Sequence, residues 1–285
     1  MENTTERKGN ETAGLNLQLG RKVTYPRNYC PAVLRFIPRQ ISRSANGISK
    51  DLPFTGFDYW TAWEFSYLDS HGKPSVRILK LAVPAESENI VESKSLKLYL
   101  NSFNYERFGS DRAIGEAIEK DLSAGFKCRF NLEILPLSGC SDDQPGVPMD
   151  KFKCIDNIEV DSPSFKFSSG TLSADQNICT EEYLYSDLLK SNCPVTSQPD
   201  WGSVFIHYKG KKISHKGLLL YILSFRDINE FHESCAERIF SDIKRICSPE
   251  SLTVQARYTR RGGIDINPLR TDCGECVIAT RTIRQ

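Results

Sequence analysis

Glu92-Ser93-Lys94-Ser95-Leu96-Lys97-Leu98-Tyr99-Leu100-Asn101-Ser102-Phe103 lies over Ser214-His215-Lys216-Gly217-Leu218-Leu219-Leu220-Tyr221-Ile222-Leu223-Ser224-Phe225 at an offset of 122 residues. Lys, Leu, Leu, Tyr, Ser and Phe recur in register. A helical pattern follows each copy: Ala113, Ile114, Ala117, Ile118 and Leu122 after Ser110-Asp111 in the first, and Ile228, Phe231, Cys235, Ile239, Ile243 and Ile246 in the second. The shared residues and the shared order of elements mark a duplication. The stretch itself is ambiguous, because alternation at Leu96, Leu98 and Leu100 fits a strand as well as a short helix.

Outward from the repeat, the aromatic run Phe57 to Leu68 partly alternates and predicts a strand. Asp69-Ser70-His71-Gly72-Lys73-Pro74 reads as a turn, and Val76 to Pro84 as the partner strand of a hairpin. Cys128 to Leu135 alternates again and predicts another strand. In the second half, Trp201 to Tyr208 predicts a strand, Lys209-Gly210-Lys211-Lys212 a turn, and Asp227 with Glu230 a capping pair for the long helix. Each half therefore reads as hairpin, helices, hairpin. A four-stranded sheet with helices on one face leaves edges open, so the halves, or two chains, are expected to pair. The expected divisions are a mobile polar tail over 1–21, an N-terminal module over 22–135, a Ser/Asp/Gly/Pro-rich connector over 136–170 with one strand near Ile155 to Val160, and a C-terminal module over 171–285.

Composition narrows the function. At 285 residues, 39% apolar and 26% charged, the chain is a soluble globular protein, and 37 basic against 36 acidic side chains create no field to recruit nucleic acid. Met1 to Lys8 contains no apolar targeting segment, and no run is long enough to span a bilayer. A cytoplasmic setting follows, in which the ten cysteines stay as free thiols.

The chemistry is expected on Ser191 to Ser203. Pro194 and Pro199 push Cys193 and Gln198 out of the α region, which leaves Cys193 on a loop as either a packed small hydrophobe or a nucleophile. Asp200 supplies a titratable acid beside Trp201, whose indole would desolvate it. Phe231-His232-Glu233 falls in the first turns of the long helix, where Glu233 either complements the dipole or accepts two donors from a guanine-like edge. Lys94 with Ser93 and Ser95, and Arg257 to Gly263, offer cations and close backbone approach for phosphates, or are solvated ends of elements. His71, His207, His215 and His232 are too dispersed for a metal site, and Cys273-Gly274-Glu275-Cys276 lacks the second pair of ligands that a structural zinc needs. No Gly-x-Gly-x-x-Gly follows a strand and no Walker loop occurs.

Taken together, Glu92-Ser93-Lys94-Ser95 with Lys97-Leu98-Tyr99, Cys193 with Asp200-Trp201-Gly202-Ser203, and Phe231-His232-Glu233 resemble the two-module NADPH-dependent 7-cyano-7-deazaguanine reductases, over nearly the whole chain from about residue 22. The resemblance implies an α+β protein of tandem tunnelling-fold modules, antiparallel sheets with helices on one face, in which 94–103 is helical. It implies nitrile reduction on the route to queuosine. Cys193 would add to the nitrile carbon as a covalent thioimide, with Asp200 as proton donor. Hydride from NADPH would give a thiohemiaminal, loss of the thiol an imine, and a second NADPH the amine. Glu92, Ser93, Lys94, His232 and Glu233 would contact the deazaguanine, and Lys94, Ser95, Arg261 and Gly262 would hold NADPH. No metal is implied. Because the first half has no cysteine matching Cys193, one site per chain is expected, in a homodimer.

Two other functions fit the same residues. A cyclohydrolase-like enzyme of the same fold would attack a purine or pterin ring through zinc, and a non-catalytic purine-binding module would keep Cys193 merely packed.

Overall fold

From Phe57 to Leu68 the side chains alternate between a buried face and one that is open or half-buried, as a strand with helices on one side requires. The computed structural model describes residues 25–138, 146–161, 163, 165–274 and 279–285. The expected tail over 1–21 and Cys276 of the Cys-x-x-Cys lie outside the described residues. In chain order the elements are β1 (Phe36–Pro38), α1 (Arg39–Ala45), β2 (Thr55–Leu68), β3 (Pro74–Pro84), β4 (Asn89–Val91), α2 (Ser93–Asn101), α3 (Asp111–Phe126) and β5 (Asn131–Pro136). They continue with β6 (Lys153–Cys154), β7 (Ala174–Asn192), β8 (Pro199–Ile213), α4 (His215–Leu223), α5 (His232–Cys247), β9 (Ser251–Tyr258) and β10 (Ile264–Thr271).

The chain is α+β, with helices and sheets that are antiparallel apart from the short parallel pairing of β6 with β7. One eight-stranded sheet runs β5-β3-β2-β10-β9-β8-β7-β6. Its halves join where β2 pairs with β10, from Thr55↔Thr271 to Ala62↔Ile264. One edge of each half thus closes on the other, while β5 and β6 stay as the outer strands; the first half supplies three strands to this sheet, β5, β3 and β2, and not the expected four, because a single strand follows its helices. Trp60, Ala62, Leu79 and Leu81 pack with α2 and α3, and Val204, Ile206, Leu252 and Val254 pack with α4 and α5. A separate two-stranded ladder, β1 with β4, leads straight into α2.

The duplication holds at the level of single bonds. α2 and α4 have the same length and keep the offset of 122. The Tyr99 hydroxyl donates to Asp121 at 2.7 Å and the Tyr221 hydroxyl to Asp242 at 2.8 Å. Ser102 Oγ donates to the Tyr99 carbonyl at 2.6 Å, as Ser224 Oγ does to that of Tyr221 at 2.7 Å. The ambiguous run is helical because Leu96, Tyr99, Leu100 and Phe103 stand at helical spacing and enter one core.

Three further expectations change. No turn interrupts 209–212: β8 runs through it to Ile213, and a Cβ on Gly210 would stand 3.0 Å from Pro249 Cα, so glycine serves close approach there. The connector strand is the two residues of β6, not Ile155 to Val160, and Ile155 is buried in the second-half core. The long helix begins at His232 and not at Ile228. Asn192 N donates to Ile228 O at 2.7 Å and Glu230 N to Asn192 O at 3.1 Å, which holds 228–230 extended, so Phe231 is the N-cap, with no side-chain cap from Asp227.

Candidate active site

Cys193 to Gln198 forms the loop of the β7–β8 hairpin, closed by Cys193 N donating to Gln198 O at 2.8 Å and Ser197 N to Cys193 O at 2.9 Å. The loop is pinned on two sides. Asn192 holds the strand-like run before α5, and Val195 packs with Phe231 against Ile37 and Ile90 of β1 and β4. Residues from both halves therefore meet in one cleft of about 710 Å³, open mouth included.

Cys193 is 5% exposed and lines this cleft together with Asp200. Asp200 is the second residue of β8, and its carboxylate lies 3.0 Å from Arg261 Nη1 and 3.3 Å from His232 Nε2. Trp201 lines the same cleft, with its indole 40% exposed and the guanidinium of Arg226 5.4 Å from the centroid of its ring. The charged neighbours of the acid are Arg261 and His232. The His232 ring lies flat on Tyr258, with centroids 3.7 Å apart and planes 6° apart.

Glu233 is 3% exposed and borders the cleft. Burial, and then the charge of Asp58, push its carboxyl well above the usual carboxylate range. It sits over a buried ion network in which Arg39 and Arg270 bind Asp58 at 2.5 and 2.8 Å, and Arg43 and Arg270 bind Glu237 at 2.7 and 3.0 Å. The network joins α1, β2, α5 and β10. No sequence pattern announced it, because its members come from four elements far apart in the chain.

Other expected site residues divide. Glu92, 1% exposed at the N-cap of α2, and Ser93 both line the cleft, as does Arg261. Lys94, Ser95 and Gly262 are not among the lining residues. Ser95 is fully buried: its hydroxyl donates to Glu92 O at 2.8 Å and accepts from Arg35 N at 3.0 Å. Gly262, at φ +63°, shapes the β9–β10 turn that presents Arg261. A cation facing the cleft from α2 is Lys97, part of the Lys97-Leu98-Tyr99 run but given no role of its own from the sequence. Its ammonium is pushed down to about 8 by burial and then by the charge of Arg261. The sequence signal that would have found it is helical phase: on a helix starting at Ser93, Lys97 follows Ser93 on the same face.

A thiol and a carboxyl facing one cleft, at the seam between two repeated α+β halves, define the class of protein. The comparisons with known proteins narrow that class to one family. Over 277 residues, covering 96% of this chain and 99% of the relative, the sequence is 45% identical to the NADPH-dependent 7-cyano-7-deazaguanine reductase of Desulfotalea psychrophila (strain LSv54 / DSM 12343). Residues 25–134 match the family described as "Nitrile reductase, 7-cyano-7-deazaguanine-reductase N-term", and residues 199–275 the family described as "QueF-like protein". The chain belongs to the NADPH-dependent 7-cyano-7-deazaguanine reductase family. A solved structure, the apo form of the archaeosine synthase QueF-Like, overlaps 34% of this chain and 95% of its own at 17% identity and a TM-score of 0.30.

Proposed function

We propose that this protein reduces the nitrile of 7-cyano-7-deazaguanine to 7-aminomethyl-7-deazaguanine with NADPH, in queuosine biosynthesis. The observation that carries the proposal is that Cys193 and Asp200 share a cleft bordered by the buried carboxyl of Glu233. Two tunnelling-fold modules, over 22–135 and 171–285 with 136–170 between them, would form the scaffold. The working enzyme would be a cytoplasmic homodimer that does not bind nucleic acid directly.

In this mechanism Cys193, as the thiolate, bonds through sulfur to the nitrile carbon while Asp200, as the acid, hands one proton to the nitrile nitrogen and is left as the carboxylate, turning the triple bond into a thioimide. Arg261 and His232 hold the Asp200 carboxyl toward the cleft. Glu233 accepts the paired donors of the pyrimidine edge, and Glu92 and Ser93, which line the same cleft, contact the deazaguanine. Lys97 and Arg261 are two cations on one cleft wall, a fit for the phosphates of NADPH. Lys94, Ser95 and Gly262 would then serve NADPH by shaping α2 and the β9–β10 turn. When bound, NADPH supplies one hydride, and two NADPH molecules in succession would supply the two that the change from nitrile to amine requires.

Intact-mass measurement of the protein mixed with 7-cyano-7-deazaguanine, NADPH omitted, should show one adduct per chain with the mass of the added nitrile. Cys193→Ala should lose both the adduct and turnover, and Asp200→Ala should lose turnover while retaining some adduct. An active Cys193→Ala protein would end the proposal.

A further inference from the structure

Strands β9 and β10 pair only where Thr253 to Gln255 faces Leu269 to Thr271. Toward the cleft they part. β9 follows β8 out to Tyr258, and β10 follows β2 out to Ile264. The split opens onto the cleft on the helix side, with Tyr258, Thr259 and Arg261 on one lip and Ile264 and Ile266 on the other. On the helix-free side it opens onto a second cavity of about 1040 Å³, mouth included, with Trp63, Arg257, Asp265 and Asn267 in its walls.

The segment 279–285 is laid across this second face. Ala279 N donates to Gln255 Oε1 at 2.7 Å, Arg281 stands 4.1 Å from the centroid of the Trp63 ring, and Arg284 Nη1 donates to Asp187 O at 2.9 Å. Gln285 reaches both lips of the split. Its Nε2 donates to Asn267 Oδ1 on β10 at 2.6 Å and to Tyr258 O on β9 at 3.4 Å. Asn267 Oδ1 also accepts from Tyr258 N at 3.3 Å, so the backbone of Tyr258 is held at both its amide and its carbonyl. On the other side of the sheet the same residue carries the ring on which His232 lies.

We infer that Gln285 is a positioning residue for the cleft: by bridging Tyr258 and Asn267 it sets the separation of β9 and β10, and with it the stance of His232 and Arg261 toward the ligand. The inference rests on the cleft being the nitrile site. Arg257 and Arg281 hold the segment in place, and Gln285 transmits the constraint. Ladder bonds are absent from this part of the β9–β10 pair, so the side-chain amide does the spanning that backbone groups do elsewhere in the sheet.

The test uses Gln285→Leu in the full chain, which keeps the volume and removes both donors, and Gln285→Glu, which keeps an acceptor for Arg257 but donates nothing. Adduct formation with 7-cyano-7-deazaguanine, NADPH omitted, is followed by intact mass over a range of nitrile concentrations. Amide hydrogen exchange is read separately at 258–261. Both variants should raise the half-saturating nitrile concentration about five- to tenfold, the loss of one or two neutral hydrogen bonds, with the limiting rate changed less than about twofold. Exchange at 258–261 should quicken while β2 and β3 stay as in the wild type. A purely structural role would instead reduce the amount of active protein at unchanged half-saturation, and that result overturns the inference, as does wild-type exchange in either variant. If the wild-type protein forms no adduct, the nitrile reading fails, and the exchange data alone decide whether Gln285 holds the split.

Discussion

Lys97 and Glu233 face one cleft with displaced proton affinities, and the displacements act on ligands in opposite senses. Lys97 holds a phosphate only as the ammonium. Its pKa is pushed down to about 8 by burial and by Arg261, so that form is complete below this pH and is lost as pH rises through it. Affinity for NADPH should therefore be level in the neutral range and fall above about pH 8, toward tenfold per pH unit. Glu233 binds a donor edge as the carboxylate. With its pKa raised by burial and Asp58, it is mostly protonated in the empty site on the acid side, and affinity for the nitrile should improve as pH rises from 6. Measuring KM for each ligand separately from pH 6 to 9.5 checks both slopes, and equal slopes for the two ligands would contradict the assignment. Lys97→Met should flatten the cofactor profile and leave the nitrile profile in place. The sequence led to Cys193, Asp200 and Glu233 because each stands in a recognisable motif. It did not lead to Lys97, whose partners Arg261 and Asp200 lie more than a hundred residues away in the chain.

At the scale of elements, the two halves solve one docking problem in two ways. Position 95 of α2 is a buried serine whose hydroxyl accepts Arg35 N at 3.0 Å. The equivalent position of α4 is Gly217, where a Cβ would stand 2.2 Å from the carbonyl oxygen of Thr171. Backbone lies against backbone at the second site, and no side-chain adjustment can relieve the clash. Gly217→Ala should therefore destabilise the protein by about 1–3 kcal/mol despite alanine's better helix propensity, a loss to be read in urea unfolding. A stability equal to wild type would mean that Ser169–Thr171 yields freely. The repeat between these helices was legible before any coordinates, because residue identities and element order both recur. The start of α5 was not, since Asp227 and Glu230 form a plausible capping pair and only the long-range bonds of Asn192 show that the chain there is extended. The strand continuing through 209–212 was hidden for a similar reason: Lys-Gly-Lys-Lys has turn composition, and the need for glycine comes from Pro249 on a different segment.

Across the whole molecule, the seam between halves is where stability and site electrostatics are joined. Arg270 of β10 is fully buried, bound to Asp58 of β2 at 2.8 Å and to Glu237 of α5 at 3.0 Å, while Arg39 and Arg43 reach the same carboxylates from α1. Three guanidiniums face two carboxylates, and Glu233 is a third carboxyl close enough to feel Asp58, Arg39 and Arg270. Ionising Glu233 therefore brings the buried cluster to charge balance, which is the state a ligand with paired donors selects. Removing one cation upsets both functions of the seam. Arg270→Met takes away the guanidinium that bridges Asp58 and Glu237, leaving each carboxylate with fewer donors in a site closed to water, and should cost about 3–5 kcal/mol in urea unfolding, because breaking a buried ion network at one partner is expensive while the intact network itself adds little. It should also raise the affinity of Glu233 for its proton further, so that the nitrile affinity of folded variant protein rises with pH over a more alkaline range than in the wild type. A variant that loses stability but keeps the wild-type pH profile for nitrile binding would separate the two roles and show that the network holds the halves together without tuning the carboxyl above it.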